Sequence, residues 1–271
     1  MEFNEDEQKI QKESKEYIIS HSDDLIKKHI KDKNPLPIGF VTIFMAGSPG
    51  SGKTEFSERY IPLVYQKGSE LDKTLNKKGI NTEHYDSLIV RIDVDEIREF
   101  LPQYKKTNDK DGAKGNAHVI QAAANKGLDI LRDYCLGNNV SFLHDGTFGN
   151  YKTMRDIIKK SLKDNRDVKI FYLYIDPIVA WNFTKAREKV EGRNIIKENF
   201  IKQFYASKEN VDLIKKEFEK KVSVNCVLKN NKNEVEDIEF NVSSVDRYLK
   251  TMYKRGKAID YSVEDLEEKL V

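Results

Sequence analysis

The stretch richest in chemistry is residues 47–54, Gly47-Ser48-Pro49-Gly50-Ser51-Gly52-Lys53-Thr54. It matches G-x-x-x-x-G-K-[ST] in full, the pattern of a loop whose glycines let the backbone turn its N–H groups inward around a polyphosphate. A helix opening at the end of such a loop adds its positive terminus to the same anion. Lys53 is the residue to neutralise the β- and γ-phosphates, and the Thr54 hydroxyl is a magnesium ligand. A Gly-rich turn can match the pattern by chance. Here it follows an apolar, β-rich run at 38–45 and opens an amphipathic stretch at 53–66, the context that a phosphate site needs. The implied cofactors are a nucleoside triphosphate and Mg2+.

Other groups could act on an acceptor. Asp93-Val-Asp95-Glu-Ile-Arg98 ends a second apolar run. A carboxylate there can take the proton of a hydroxyl that attacks the γ-phosphate. Asp95 can equally cap a helix starting at Glu96, and the two roles can be divided between Asp93 and Asp95. Arg98 is grouped with the acceptor-binding residues. Asp145-Gly-Thr147 ends a third run. Asp145 is a candidate to hold magnesium through water, and Thr147 to bond substrate, although Asp-Gly also makes a simple turn. Arg187 and Arg193 flank Gly192 and suit a mobile lid that brings positive charge to a transferring phosphoryl group. Solvated helix charge is the plainer account of Arg187. His118 is a substrate-binding candidate or an incidental surface residue. Trp181 reads as core. Asn231-Lys-Asn-Glu234 approaches the N-K-x-D guanine-reading sequence but ends in Glu within a polar run.

The elements that must position these residues follow from periodicity. Strands are expected at 38–45, 88–94, 140–143, 168–175, 222–228 and 238–242. Helices are expected at 53–66, 117–136 and 152–163, and from 177 to about 221 with a break near Gly192. Alternating strands and helices give an α/β fold, a P-loop kinase-like parallel sheet flanked by helices on both faces. Ligands of such sheets sit at the carboxyl ends of strands, where every motif above falls. Residues 1–34 read as a charged helix with Ile10, Tyr17, Ile18, Leu25 and Ile30 on one stripe, ended by Pro35 and Pro37. The expected division is this N-terminal segment, a kinase-like domain at 35–245, and a peripheral helical tail at 246–271. The first segment packs on the core or acts as a built-in inhibitor.

Composition narrows the partners. With 47 Lys+Arg against 45 Asp+Glu in 271 residues, the chain has no global attraction for nucleic acid or acidic membranes. No apolar run approaches the roughly 20 residues that span a bilayer, and the acidic start is unlike a signal peptide, so a cytoplasmic protein is expected. Cys135 and Cys226 lack metal-ligand spacing and read as buried thiols.

Taken together, these residues resemble the zeta toxin family of bacterial toxin–antitoxin kinases. The resemblance rests on GSPGSGKT, IDVDEIREFLPQY, FLHDGTF and the arginines of AREKVEGRN, in family order over roughly 38–230. It implies ATP- or GTP-dependent phosphorylation of the 3′-hydroxyl of the sugar of UDP-N-acetylglucosamine, and an antitoxin partner. It also implies that Asp95 is the base, that Thr147 contacts substrate, that Arg187 and Arg193 clamp the phosphates, and that Asp129 stands at a substrate-binding position. The chain departs from the family pattern at Leu101-Pro102, at Asp145-Gly-Thr147 and at Gly149. The readings set beside it are a polynucleotide kinase, a kinase of another small molecule such as NAD, and a nucleotide-driven switch.

Overall fold

Local hydrogen bonding and proline decide where the elements begin and end. The computed structural model describes residues 3–105, 115–191 and 195–271. Helix α1 (Glu5–Ser20) opens on a reciprocal cap: Asn4 Oδ1 accepts from Glu7 N, and Glu7 Oε2 accepts from Asn4 N. The single helix expected over 1–34 is divided, because the chain turns at His21 before α2 (Ser22–His29). Ser20 Oγ donates to the Glu16 and Tyr17 carbonyls, and His21 Nδ1 lies 3.0 Å from Tyr17 O. Such backward bonds compete with the helical ladder. Ile18, Leu25 and Ile30 of the expected stripe are fully buried, while Ile10 and Tyr17 are half-buried.

Strand β1 (Val41–Ala46) starts later than expected, since its backbone pairing begins where Phe40 O accepts from Asp167 N. The helix expected at 53–66 is two, α3 (Lys53–Arg59) and α4 (Ile61–Tyr65). Pro62 has no N–H for the continuing ladder and suits a first helical turn instead. Of the apolar residues on this stretch, Phe56 and Ile61 are buried, while Tyr60 and Val64 are exposed. Then come α5 (Glu70–Lys77), β2 (Val90–Asp93), α6 (Val94–Phe100), α7 (Gln121–Gly137) and β3 (Phe142–Asp145). The chain continues through α8 (Tyr151–Lys163), β4 (Asp167–Tyr174), α9 (Pro177–Glu191), α10 (Lys197–Phe218) and β5 (Val222–Lys229). It closes with β6 (Val235–Glu239), α11 (Val245–Lys254) and α12 (Val263–Lys269).

The strands form a six-stranded, mostly parallel sheet flanked by helices, in the order β2-β3-β1-β4-β5-β6. β1 and β5 both run parallel to β4, from Val41↔Asp167 to Ala46↔Tyr172 and from Val168↔Val222 to Tyr174↔Leu228. β6 departs from the expected 238–242: it starts at Val235 and runs antiparallel to β5. The Asn230 side chain accepts from Lys232 N and Glu234 N, which makes a tight turn and returns the chain early.

Two units divide the chain. One holds residues 1–39, 62–143 and 187–194. In it α1, α2 and α6 pack against α7. The approach depends on Gly127, where a Cβ would lie 2.6 Å from Ile97 Cγ2 and 3.3 Å from Ile18 Cγ1. The N-terminal segment is therefore built into this unit's core. The other unit holds 40–61, 144–186 and 195–271, with β1, β4, β5 and β6 as its sheet. Here Trp181 is core, 5.2 Å and edge-on from Phe200, and its Nε1–H donates to Val271 O at 2.9 Å. The tail expected to be peripheral is seated, with Leu266 and Leu270 buried. Cys135 and Cys226 are buried thiols.

Candidate functional site

In the second unit β1, buried along its whole length, delivers the chain into the phosphate loop. Gly47 (φ +138°) leaves the strand where a Cβ would lie 2.5 Å from Leu173 O, so only glycine fits. Gly52 (φ +70°) turns the chain into α3, and its carbonyl accepts the first helical bond from Phe56 N at 3.1 Å. Ser48, Pro49 and Ser51 are buried and Gly50 is half-buried. Lys53 folds over its own loop, its Nζ donating to Ser48 O at 2.6 Å, Gly47 O at 3.2 Å and Ser51 Oγ at 3.3 Å. A phosphate entering the loop would exchange with these carbonyls for the ammonium.

Thr54 Oγ1 donates to Asp145 Oδ2 at 3.3 Å, and Ser57 Oγ lies one turn further along α3 at 3.4 Å from the same oxygen. Asp145 is the last residue of β3 and is buried. Two hydroxyls facing a buried carboxylate are hard oxygen donors, the kind that hold magnesium beside a triphosphate, so the residues fit that ion. Ser57 was missed by the sequence reading, although its i+3 spacing from Thr54 on one helix face could have found it. Thr147 is half-buried, and its carbonyl accepts from Gly47 N at 3.4 Å. The next residue, Phe148, is held at φ +61°, an uncommon conformation for a bulky side chain. Its ring packs edge-on to Phe44 at 5.7 Å, and its carbonyl accepts from Asn210 Nδ2 at 3.0 Å.

The first unit carries the acidic turn. β2 ends at Asp93 and α6 begins at Val94 with no linker, so the strand does not persist to Asp95 and the two acids do not share a strand face. The cap is Asp93, not Asp95: Asp93 Oδ1 accepts from Asp95 N at 2.9 Å, and its other oxygen pairs with Arg91. Arg91 also bonds Glu96 at 2.9 Å, and His29 from α2 lies 3.4 Å from the other Glu96 oxygen. The His29 bond foremost, with the charges of Lys33 and Arg91, holds the Glu96 carboxyl below its ordinary range. Asp95 is thereby left projecting from the first turn of α6. There it pairs with Arg98, which also bonds Gln121, and with Arg187 at 3.3 Å. Asp93, Asp95, Arg98 and Arg187 thus form one cluster. His118 instead pairs with Glu7 at 3.3 Å, and Asp129 pairs with Arg132 along α7. Arg193 and the Gly192 hinge lie outside the described residues.

Lys229, the last residue of β5, carries no motif of its own in the sequence. It is buried, and its Nζ donates to Gly52 O at 3.2 Å. Burial pushes its ammonium down to about 8. The Asn231–Glu234 segment weighed as a guanine reader forms the turn between β5 and β6.

A sheet of this order with a phosphate loop leaving β1 defines a P-loop protein of kinase-like α/β architecture. The Zeta toxin family model matches residues 26–242, and the chain belongs to the Zeta toxin family. Among solved structures it is similar to one from the PezAT chromosomal toxin–antitoxin system of Streptococcus pneumoniae. That match has 15% identity and a TM-score of 0.55, and covers 99% of this chain and 94% of the other. It is also similar to the AvrRxo1-ORF1:AvrRxo1-ORF2 complex with sulphate ions, at 13% identity and TM-score 0.55, over 94% and 74% of the two chains. The same complex with ATP matches at 11% identity, TM-score 0.55 and the same coverage. At these identities the likeness is one of fold. No curated protein matches the chain. Among the described residues no helix is long and apolar enough to cross a membrane.

Proposed function

We propose that the chain is a kinase that transfers the γ-phosphate of ATP or GTP to a hydroxyl of a small metabolite, a nucleotide sugar such as UDP-N-acetylglucosamine foremost, and acts as a toxin. The observation that carries this reading is the phosphate loop itself, closing on Lys53 with Thr54 and Asp145 in hydrogen-bond contact. Membership of the Zeta toxin family and the likeness in fold to a complex solved with ATP support it.

In this mechanism the loop's N–H groups and Lys53 hold the triphosphate, and Thr54 and Asp145 would hold magnesium, which would supply charge neutralisation. Asp95 accepts the hydroxyl proton as the acceptor oxygen attacks. Asp93 fixes the helix start from which Asp95 projects. Arg187 and Arg193 offset the charge on the transferring group, and Arg98, Thr147, His118 and Asp129 bind the acceptor. A fold shared with a toxin–antitoxin system supports an antitoxin partner, and a nucleotide-sugar substrate fits action in the cytoplasm.

The test is to incubate the protein and K53A with γ-labelled ATP and a metabolite extract, with UDP-N-acetylglucosamine alone as a second arm. Mass spectrometry then identifies the species that gains a phosphate. A phosphorylated nucleotide sugar with the wild type and none with K53A is expected. A different product overturns the substrate, and no labelled product in either arm overturns the kinase.

A further inference from the structure

The carbonyl of Gly52 and the N–H of Lys53 belong to one peptide unit. In a planar trans peptide these two groups point in opposite directions, so whatever fixes the oxygen also fixes the hydrogen. Gly52 is the least restrained kind of residue, in a left-handed conformation at φ +70°. Its oxygen accepts from Phe56 N at 3.1 Å and from Lys229 Nζ at 3.2 Å. The Lys229 ammonium is close enough that a Cβ built on Gly52 would lie 2.2 Å from Nζ, and equally 2.2 Å from Asn233 Oδ1. A buried lysine is costly to keep charged, and this one spends its charge on a loop carbonyl 177 residues away in sequence.

We propose that Lys229 is a positioning residue of the phosphate loop, which pins the Gly52 carbonyl so that the Lys53 N–H of the same peptide is aimed at the bound triphosphate and made a stronger donor. A cation on the oxygen polarises the whole peptide group, and chained hydrogen bonds of this kind reinforce one another. Lys229 touches no phosphate in this scheme. It acts through the peptide it holds.

This inference rests on the reading that residues 47–54 bind a triphosphate, and it makes a claim that a merely structural lysine does not. Lys229 also lines a cavity of about 500 Å³ between the β5–β6 turn and residues 256–259. The charges acting on its ammonium are Glu55 and Arg59 on α3, and the other ionisable groups lining the cavity are Tyr174 on β4, Asp176 after it, Lys232 and Glu234 in the turn, Glu236 on β6, and Lys257. With burial lowering it to about 8, the ammonium is kept below that pH and lost above it, so the clamp releases in mild alkali.

The experiment is equilibrium titration of ATP with Mg2+ into the wild type, K229M and K229R between pH 7 and 9.5, with thermal melts to show that each is folded. Loss of one charge-assisted bond predicts ATP affinity about tenfold weaker in K229M at pH 7. Wild-type affinity is expected to fall toward the K229M value above pH 8, and K229R, which keeps its charge, to stay flat. A wild-type profile flat to pH 9.5, a K229R profile that falls like the wild type, or a folded K229M that binds as the wild type does overturns the proposal. Absence of ATP binding by the wild type at every pH overturns instead the reading of the loop.

Discussion

Replacing Asp93 and Asp95 one at a time separates the cap from the base. Asp93 accepts the Asp95 N–H at 2.9 Å and pairs with Arg91, whose side chain is 17% exposed. Alanine at 93 removes both, at about 1 kcal/mol for the cap and about 2 kcal/mol for the charged bond, or roughly 3 kcal/mol together. Asparagine caps as well as aspartate, so D93N loses only the ionic part, about 2 kcal/mol. It should keep most of the transfer rate. Asp95 is half-buried and pairs with Arg98 as well as with Arg187 at 3.3 Å, so its amide, which keeps an acceptor oxygen but loses the charge, should cost about 2 kcal/mol and leave the protein folded. D95N nevertheless removes the proton acceptor, which predicts a rate lower by about 10²–10⁴ with ATP affinity unchanged. The assay pairs urea unfolding with ATP titration and with label transfer from γ-labelled ATP in the extract. Transfer by D95N at the wild-type rate refutes the assignment of the base. So does a folded D93N as inactive as D95N.

Three further outcomes are expected. T54A should lose the magnesium-dependent part of ATP affinity while keeping the magnesium-free part, so equal losses with and without the ion would remove Thr54 from the metal site. G127A drives a methyl into Ile97 and Ile18 and should cost about 1–3 kcal/mol in denaturant unfolding; a neutral result would show that α1 and α6 do not depend on that approach. Asp72 accepts from Thr82 Oγ1, from Gly68 N at 2.6 Å and from Asn76, and Thr82 foremost holds its carboxyl below the ordinary range. A depressed acid contributes stability above its unfolded value of about 3.9 and loses it as pH falls through the folded one. D72N should therefore melt below the wild type at pH 7, with the gap closing in acid, and a gap independent of pH would contradict this.

The phosphate loop was legible because its chemistry is local: eight consecutive residues carry the pattern, and the strand before and helix after are visible in the apolar spacing. The alternation of strands and helices gave the sheet for the same reason. The roles of Asp93 and Asp95 were not legible, because β2 passes into α6 without a turn residue and a two-residue change in the helix start exchanges cap and projecting acid. The break at Tyr60 followed from Pro62, a signal present in the sequence but outweighed there by the apolar spacing around it. Lys229 was hidden altogether. Nothing in Lys-Asn-Asn-Lys-Asn-Glu distinguishes a solvated lysine from a buried one, since its burial depends on a partner far along the chain.

Strand β6 has a consequence for how the protein behaves in a crowded cell. It is the outermost strand on its side of the sheet and reads Val-Glu-Asp-Ile-Glu. A strand with one open edge invites the same strand of another molecule to dock on it and begin a fibre. Three carboxylates within five residues make that docking self-repelling, because each copy would lay like charge against like charge. The acids of this strand thus disfavour edge-to-edge pairing of two copies of the chain.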